Sequence, residues 1–97
     1  MNDFILLMHG DGPGPVSPAL WPPYLQRLRV SGAFQGGSAI GGGVLVKKGA
    51  DAEEASLGVT GYIRVTAQSL EAALALVQGN PVYESGGTVE VRALPRD

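Results

Sequence analysis

An uninterrupted apolar run near the start of the chain predicts the first strand. Phe4 to Met8 is apolar at every position, and Gly10 follows closely. A short run without polar alternation is typical of a strand that is covered on both faces. We therefore predict a central strand over residues 3–9.

A long, stiff loop is predicted to lead into the first helix. Residues 10–23 hold three glycines and five prolines, so most of this segment cannot form regular structure. The two prolines that end it are tolerated only in the first turn of a helix, so the helix should begin near Trp21 and end at Gly32. Leu25 and Leu28 would then share one face with Trp21.

The rest of the chain predicts three more strands and a second helix. Val44 to Val46 is predicted to form a strand that is bent by the glycines before it. Residues 47–56 are predicted to form a solvent-exposed connection. Residues 57–66 carry the alternation of a third strand. Apolar positions three and four apart predict a helix over residues 69–78, and residues 88–94 alternate again as a fourth strand.

The predicted order is βαββαβ over a single domain, residues 1–97. This is an α+β, ferredoxin-like arrangement in which both helices cover one face of an antiparallel sheet. Because the first strand has no polar side for water, the other face must also be covered, and the simplest cover is the same sheet of a second chain. We therefore expect a homodimer.

The composition argues against several kinds of partner. The net charge is −2 and the basic residues are scattered, so no cationic stripe is available for nucleic acid. One histidine and no cysteine argue against a metal site. The opening apolar run is too short for a membrane span, and no basic residue precedes it as in a signal peptide. We expect a cytoplasmic protein that binds neither nucleic acid nor membrane.

Two glycine-rich segments do not complete a cofactor motif. Gly10 to Pro15 lies between a strand and a helix, but Pro15 stands where a dinucleotide fingerprint needs its third glycine. Gly36 to Gly43 lacks the Lys-Ser or Lys-Thr pair of a phosphate-binding loop. We therefore expect no cofactor.

The second half of the chain resembles the YCII-related (DGPF-type) domain family. The similarity is carried by the segments GYIRV (61–65), SLEAA (69–73) and NPVYESGGTVEVR (80–92), in that order and spacing. The opening strand and the first helix are compatible with it. The resemblance implies a dimeric α+β barrel of ferredoxin-like subunits, a fold shared with small monooxygenases, with a cleft proposed as an active site.

Two features depart from that family. The Asp-Gly-Pro-Phe segment that names one branch is missing from residues 52–59, and residues 11–13 are not its equivalent. In founding members a helix-one histidine belongs to a proposed His/Asp pair, and Tyr24 stands about at its place here. That proposed chemistry therefore does not transfer directly to this chain.

His9 and Asp11 are the candidate catalytic residues. His9 is the only histidine and lies where the first strand ends, with Asp11 two residues further on. An imidazole oriented by a carboxylate at the mouth of a cleft can serve as a general base. The alternative is a strand-end histidine that hydrogen-bonds to backbone.

A second group of side chains is predicted to bind a small ligand. Its members are Trp21, Tyr24, Tyr62, Arg64, Glu90 and Arg92. If the four on the last two strands point away from the helices, they line the barrel interior or the dimer seam, where an arginine can hold a small anion through two hydrogen bonds. The alternatives are arginine–glutamate pairing across neighbouring strands and, for the two helix-one aromatics, burial in the core.

Three functions stay open at this point. The first is binding of a small polar or aromatic metabolite in the cleft, with any chemistry being cofactor-independent acid/base or hydrolytic work. The second is a non-catalytic module for dimerisation and partner contact. The third, by fold analogy alone, is a monooxygenase-like barrel.

Overall fold

The computed structural model of the chain describes residues 1–55 and 58–96. In chain order these residues form strand β1 (Asn2–His9), a 3-10 helix (Pro18–Leu20), helix α1 (Trp21–Ser31), strands β2 (Phe34–Ala39), β3 (Val44–Leu45), β4 (Glu53–Glu54) and β5 (Val59–Ala67), helices α2 (Leu70–Ala75) and α3 (Pro81–Glu84), and strand β6 (Val89–Leu94). The fold is α+β, as predicted.

The described strands form two antiparallel sheets. The larger has the strand order β2-β5-β1-β6, so β1 lies between two neighbours, as its apolar sequence predicts. β3 and β4 pair only with each other, in a two-stranded hairpin. The apolar residues of this hairpin, Val44, Leu45 and Val46, are exposed.

Strand side chains alternate between the two faces of the larger sheet, and the burial pattern shows that helices cover one face and leave the other open. On β1 the even positions from Phe4 to Met8 are buried, whereas the odd positions from Asp3 to His9 are half-buried. The register of β5 and β6 on either side of β1 extends this division across the sheet. The open face carries Asp3, Ile5, Leu7, His9, Thr60, Tyr62, Arg64, Thr66, Glu90, Arg92 and Leu94.

The core lies between the covered face and the helices. Leu6 and Val65 from the sheet and Leu28 from α1 are almost completely enclosed. Burial of each of these side chains contributes about 1.5–3 kcal/mol to the free energy of folding. α1 ends as predicted, because Gly32 adopts a left-handed backbone with φ of 79° that terminates the helix.

The strand predicted at residues 44–46 is present as β3, but it is not the second strand of the larger sheet. The strand that joins the larger sheet is β2, whereas Val44 and Leu45 belong to the separate hairpin. β2 is an edge strand held by backbone pairing to β5, and its sequence FQGGSA contains few apolar side chains. The hydrophobic pattern therefore gave no indication of it.

The helix predicted over residues 69–78 is shorter and is followed by a second one. Ser69 caps α2, accepting a hydrogen bond from the Ala72 amide at 3.1 Å, and the helix ends at Ala75. The unpredicted helix α3 begins at Pro81. A proline was interpreted only as a helix stop, although it is tolerated equally in the first turn of a new helix.

The remaining sequence predictions concern the connection and the strand around residues 47–66. Residues 47–54 are exposed, as expected for a connection, although two of them form β4. The third strand begins at Val59, and residues 56 and 57 lie outside the described part of the chain.

Within the described residues no helix has the length and apolar character needed to cross a bilayer.

Candidate functional site

The structure separates the predicted site residues into two regions. Trp21 lies beside a groove on the helix-covered side of the sheet, whereas His9, Arg64, Glu90 and Arg92 lie on the open face. Within one chain these two sets of predicted site residues therefore lie on opposite sides of the sheet.

The groove lies between α1 and the β2–β5 edge of the sheet and has a volume of about 500 Å³. This is within the range of small-molecule binding sites. The described residues that line it are Met8, Val16, Trp21, Leu25, Arg29, Phe34, Gly37, Ser38, Ala39, Thr60, Gly61, Tyr62, Ile63 and Val82. Most of them are apolar, as is usual for such sites.

Small residues on β2 and β5 form the floor of the groove. Ala39 pairs with Gly61 and Gly37 pairs with Ile63 across the two strands. A Cβ atom at Gly37 would lie only 2.6 Å from the carbonyl oxygen of Tyr62, so this position accepts no side chain without a shift of the strand. The glycines before Val44 were predicted only to bend a strand, so the sequence pattern gave no indication of this groove.

Of the two helix-one aromatics predicted to bind a ligand, Tyr24 belongs to the core. Trp21 is half-buried at the groove and meets Tyr24 edge-on, with 6.3 Å between ring centroids. Tyr24 is only 3% exposed and its hydroxyl donates to the Leu76 carbonyl at 2.7 Å. Burial raises the pKa of Tyr24 above its ordinary value. Tyr24 therefore anchors α1 to the chain after α2 and does not line the groove.

His9 has a carboxylate partner, but it is Glu90 and not Asp11. The Nε2 atom of His9 lies 2.9 Å from Oε1 of Glu90, and Arg92 donates to the other carboxylate oxygen at 2.9 Å. Arg92 first, and His9 second, hold the pKa of Glu90 below its ordinary value. When Nε2 carries the ring proton, Nδ1 is left as an acceptor, an arrangement in which an imidazole can take up a proton.

Asp11 instead accepts hydrogen bonds from Thr88, at the turn before β6. Its two carboxylate oxygens accept hydrogen bonds from the Thr88 amide at 2.8 Å and the Thr88 hydroxyl at 2.6 Å. These two bonds lower the pKa of Asp11. The backbone N–H of His9 also donates to the Thr88 carbonyl at 2.9 Å, so this contact fixes the end of β1 against β6.

Arginine–glutamate pairing across neighbouring strands, the alternative for these side chains, is not found among the described residues. Arg92 pairs with Glu90 on its own strand, and Arg64 donates to the Gln35 carbonyl at 3.0 Å. β1 separates β5 from β6, so Arg64 and Arg92 lie on either side of Ile5 in one cross-strand row. Both guanidinium groups are exposed on the open face.

Comparisons with protein-family models, curated proteins and solved structures found no match to this chain. Among residues 1–55 and 58–96, no group of three or more histidine, aspartate or glutamate side chains is arranged to hold a metal ion.

Proposed function

We propose that this protein binds a small, largely apolar molecule in the groove between α1 and the β2–β5 edge. The observation that carries the proposal is the groove itself, about 500 Å³ of space lined mainly by apolar side chains and floored by residues too small to fill it. An apolar concave surface of this size is the usual form of a small-molecule site.

We further propose that the chain belongs to the YCII-related family and is a ferredoxin-like subunit of a dimeric α+β barrel. The strand order β2-β5-β1-β6, with α1 and α2 on one face, supports that assignment. The open face supports the dimer, because Ile5 and Leu7 are half-buried apolar side chains of a face that none of the described helices covers. In this arrangement the groove, on the opposite side, stays accessible.

The open face also favours a second function, that of a non-catalytic dimerisation module. His9 is not among the described residues that line the groove, so it is not placed to act on a molecule bound there. Acid/base chemistry by His9 and Glu90 would have to occur at the dimer seam. Binding in the groove without turnover is therefore favoured over acid/base catalysis.

Filling the groove should weaken binding. Ala39 lies opposite Gly61 on the covered face and is exposed, so the larger side chain of Ala39→Phe enters the groove without displacing core residues. We expect it to weaken binding of the neutral fluorescent dye N-phenyl-1-naphthylamine by about tenfold or more, because the dye loses its apolar contacts. Dye fluorescence during titration measures this.

The matched control is Val46→Phe, which adds the same ring to the hairpin, where Val46 is 83% exposed. This variant should bind the dye like the parent protein. Equal dye affinity in all three proteins, or no dye binding by the parent, would show that the groove is not a binding site.

Placing a charge at the centre of the open face should separate the dimer. Leu7 lies opposite Glu90, so the lysine of Leu7→Lys has an anionic neighbour in a single chain but would be desolvated between two sheets. We expect the parent protein to sediment as a dimer at micromolar concentration and Leu7→Lys as a monomer. Dye binding by Leu7→Lys should be retained.

Val30→Lys serves as the control, because Val30 is 77% exposed on α1. It should remain dimeric. A parent protein that sediments as a single subunit would refute the dimer and leave the groove proposal intact.

A further inference from the structure

The charge around the groove has a single sign. Arg29 is the only charged residue among the described residues that line it. Its side chain lies over the ring of Phe34, with the guanidinium carbon 5.1 Å from the ring centroid. Within the described part of the chain its guanidinium forms no hydrogen bond and no ion pair. The N–H donors of Arg29 are thus free for a ligand.

The apolar walls favour a flat ligand. Trp21 and Phe34 supply aromatic surfaces, and the floor is made of Gly37, Ala39 and Gly61, which present backbone and no long side chain. Aromatic rings pack well against such surfaces, either stacked or edge-on to other rings. A planar ring system therefore fits the groove better than a bulky, branched molecule.

We propose that the ligand is an aromatic anion, such as an aryl carboxylate, whose ring lies in the groove and whose acidic group is bound by Arg29. This inference rests on the proposed function, because it names the ligand class of the same groove. A planar guanidinium matches a carboxylate through two parallel hydrogen bonds. Stacking on Phe34 holds the guanidinium beside the apolar wall, where a ring-linked carboxylate would reach it.

The test compares two probes of the same shape, 2-naphthoate and its neutral amide 2-naphthamide, by isothermal titration calorimetry. We expect the parent protein to prefer the carboxylate by about fivefold, the size expected for an exposed charge pair. Arg29→Gln should lose this preference while binding the amide as before. Arg29→Lys should keep part of it, and added salt should reduce the preference in the parent.

Lys48→Gln removes one positive charge from the hairpin connection, away from the groove, and should keep the full preference. Equal binding of both probes by the parent, or a preference that survives in Arg29→Gln or disappears in Lys48→Gln, would overturn the ligand class and leave the groove as a neutral site. Failure of both probes to bind would overturn the proposed function as well.

Discussion

Asn80→Ala is expected to lower the free energy of unfolding by about 3 kcal/mol. Asn80 is completely buried, and its Oδ1 accepts hydrogen bonds from the amides of Val82 at 2.9 Å and Tyr83 at 3.2 Å. Its amide nitrogen approaches the Met8 sulfur at 3.5 Å. Alanine would leave two amides at the start of α3 without their acceptor and a space beside β1, and each deficit costs stability.

Urea unfolding followed by circular dichroism measures this change. Ser69→Ala is the matched control, because Ser69 is an exposed helix cap with one hydrogen bond, and we expect it to lose about 1 kcal/mol. Asn80→Ser keeps an oxygen able to cap the helix and should lose less than Asn80→Ala. Equal losses for Asn80→Ala and Ser69→Ala would contradict the role of Asn80 as a buried link between α3 and the sheet.

Gly37→Ala is expected to cost about 2 kcal/mol of stability. In a strand, replacing glycine by alanine normally stabilises, because the unfolded chain loses conformational freedom. Here the new Cβ would lie 2.6 Å from the Tyr62 carbonyl oxygen and 3.2 Å from the Cα of Ile63, so β2 must move away from β5. The contact is with backbone, which cannot rotate aside as a side chain can.

Gly41→Ala gives the comparison for this prediction. A Cβ at Gly41 would meet no atom within 4 Å, and its φ lies outside the left-handed region. It should therefore leave stability unchanged or slightly increased, as measured by the urea midpoint. Equal stability of Gly37→Ala and Gly41→Ala would show that β2 and β5 do not approach each other so closely at the floor of the groove.

The two faces of the larger sheet divide the functional possibilities between them. The covered face holds the groove with Trp21 at its wall and Arg29 as its charge. The open face holds the His9–Glu90–Arg92 chain of polar contacts. A groove mutation and an open-face mutation therefore test separate proposals, and neither result depends on the other.

Elements whose cause is local could be predicted from the order of the amino acids. The unbroken apolar run of β1 required neighbours on both sides, the proline pair and Gly32 set the ends of α1, and alternation along β5 and β6 placed polar side chains on one face. These patterns act between residues a few positions apart, through backbone sterics and side-chain periodicity. β2 was not predicted because it is held by backbone pairing to β5 and has too few apolar side chains to show a hydrophobic pattern.

Contacts between side chains of distant segments could not be predicted in this way. Asp11 is two residues from His9 in sequence, yet the register of β6 beside β1 brings Glu90 to the imidazole and Thr88 to Asp11. The groove likewise exists only because α1 crosses a part of the sheet whose side chains are small. Strand register and helix packing are set by contacts between distant segments, which no local pattern records.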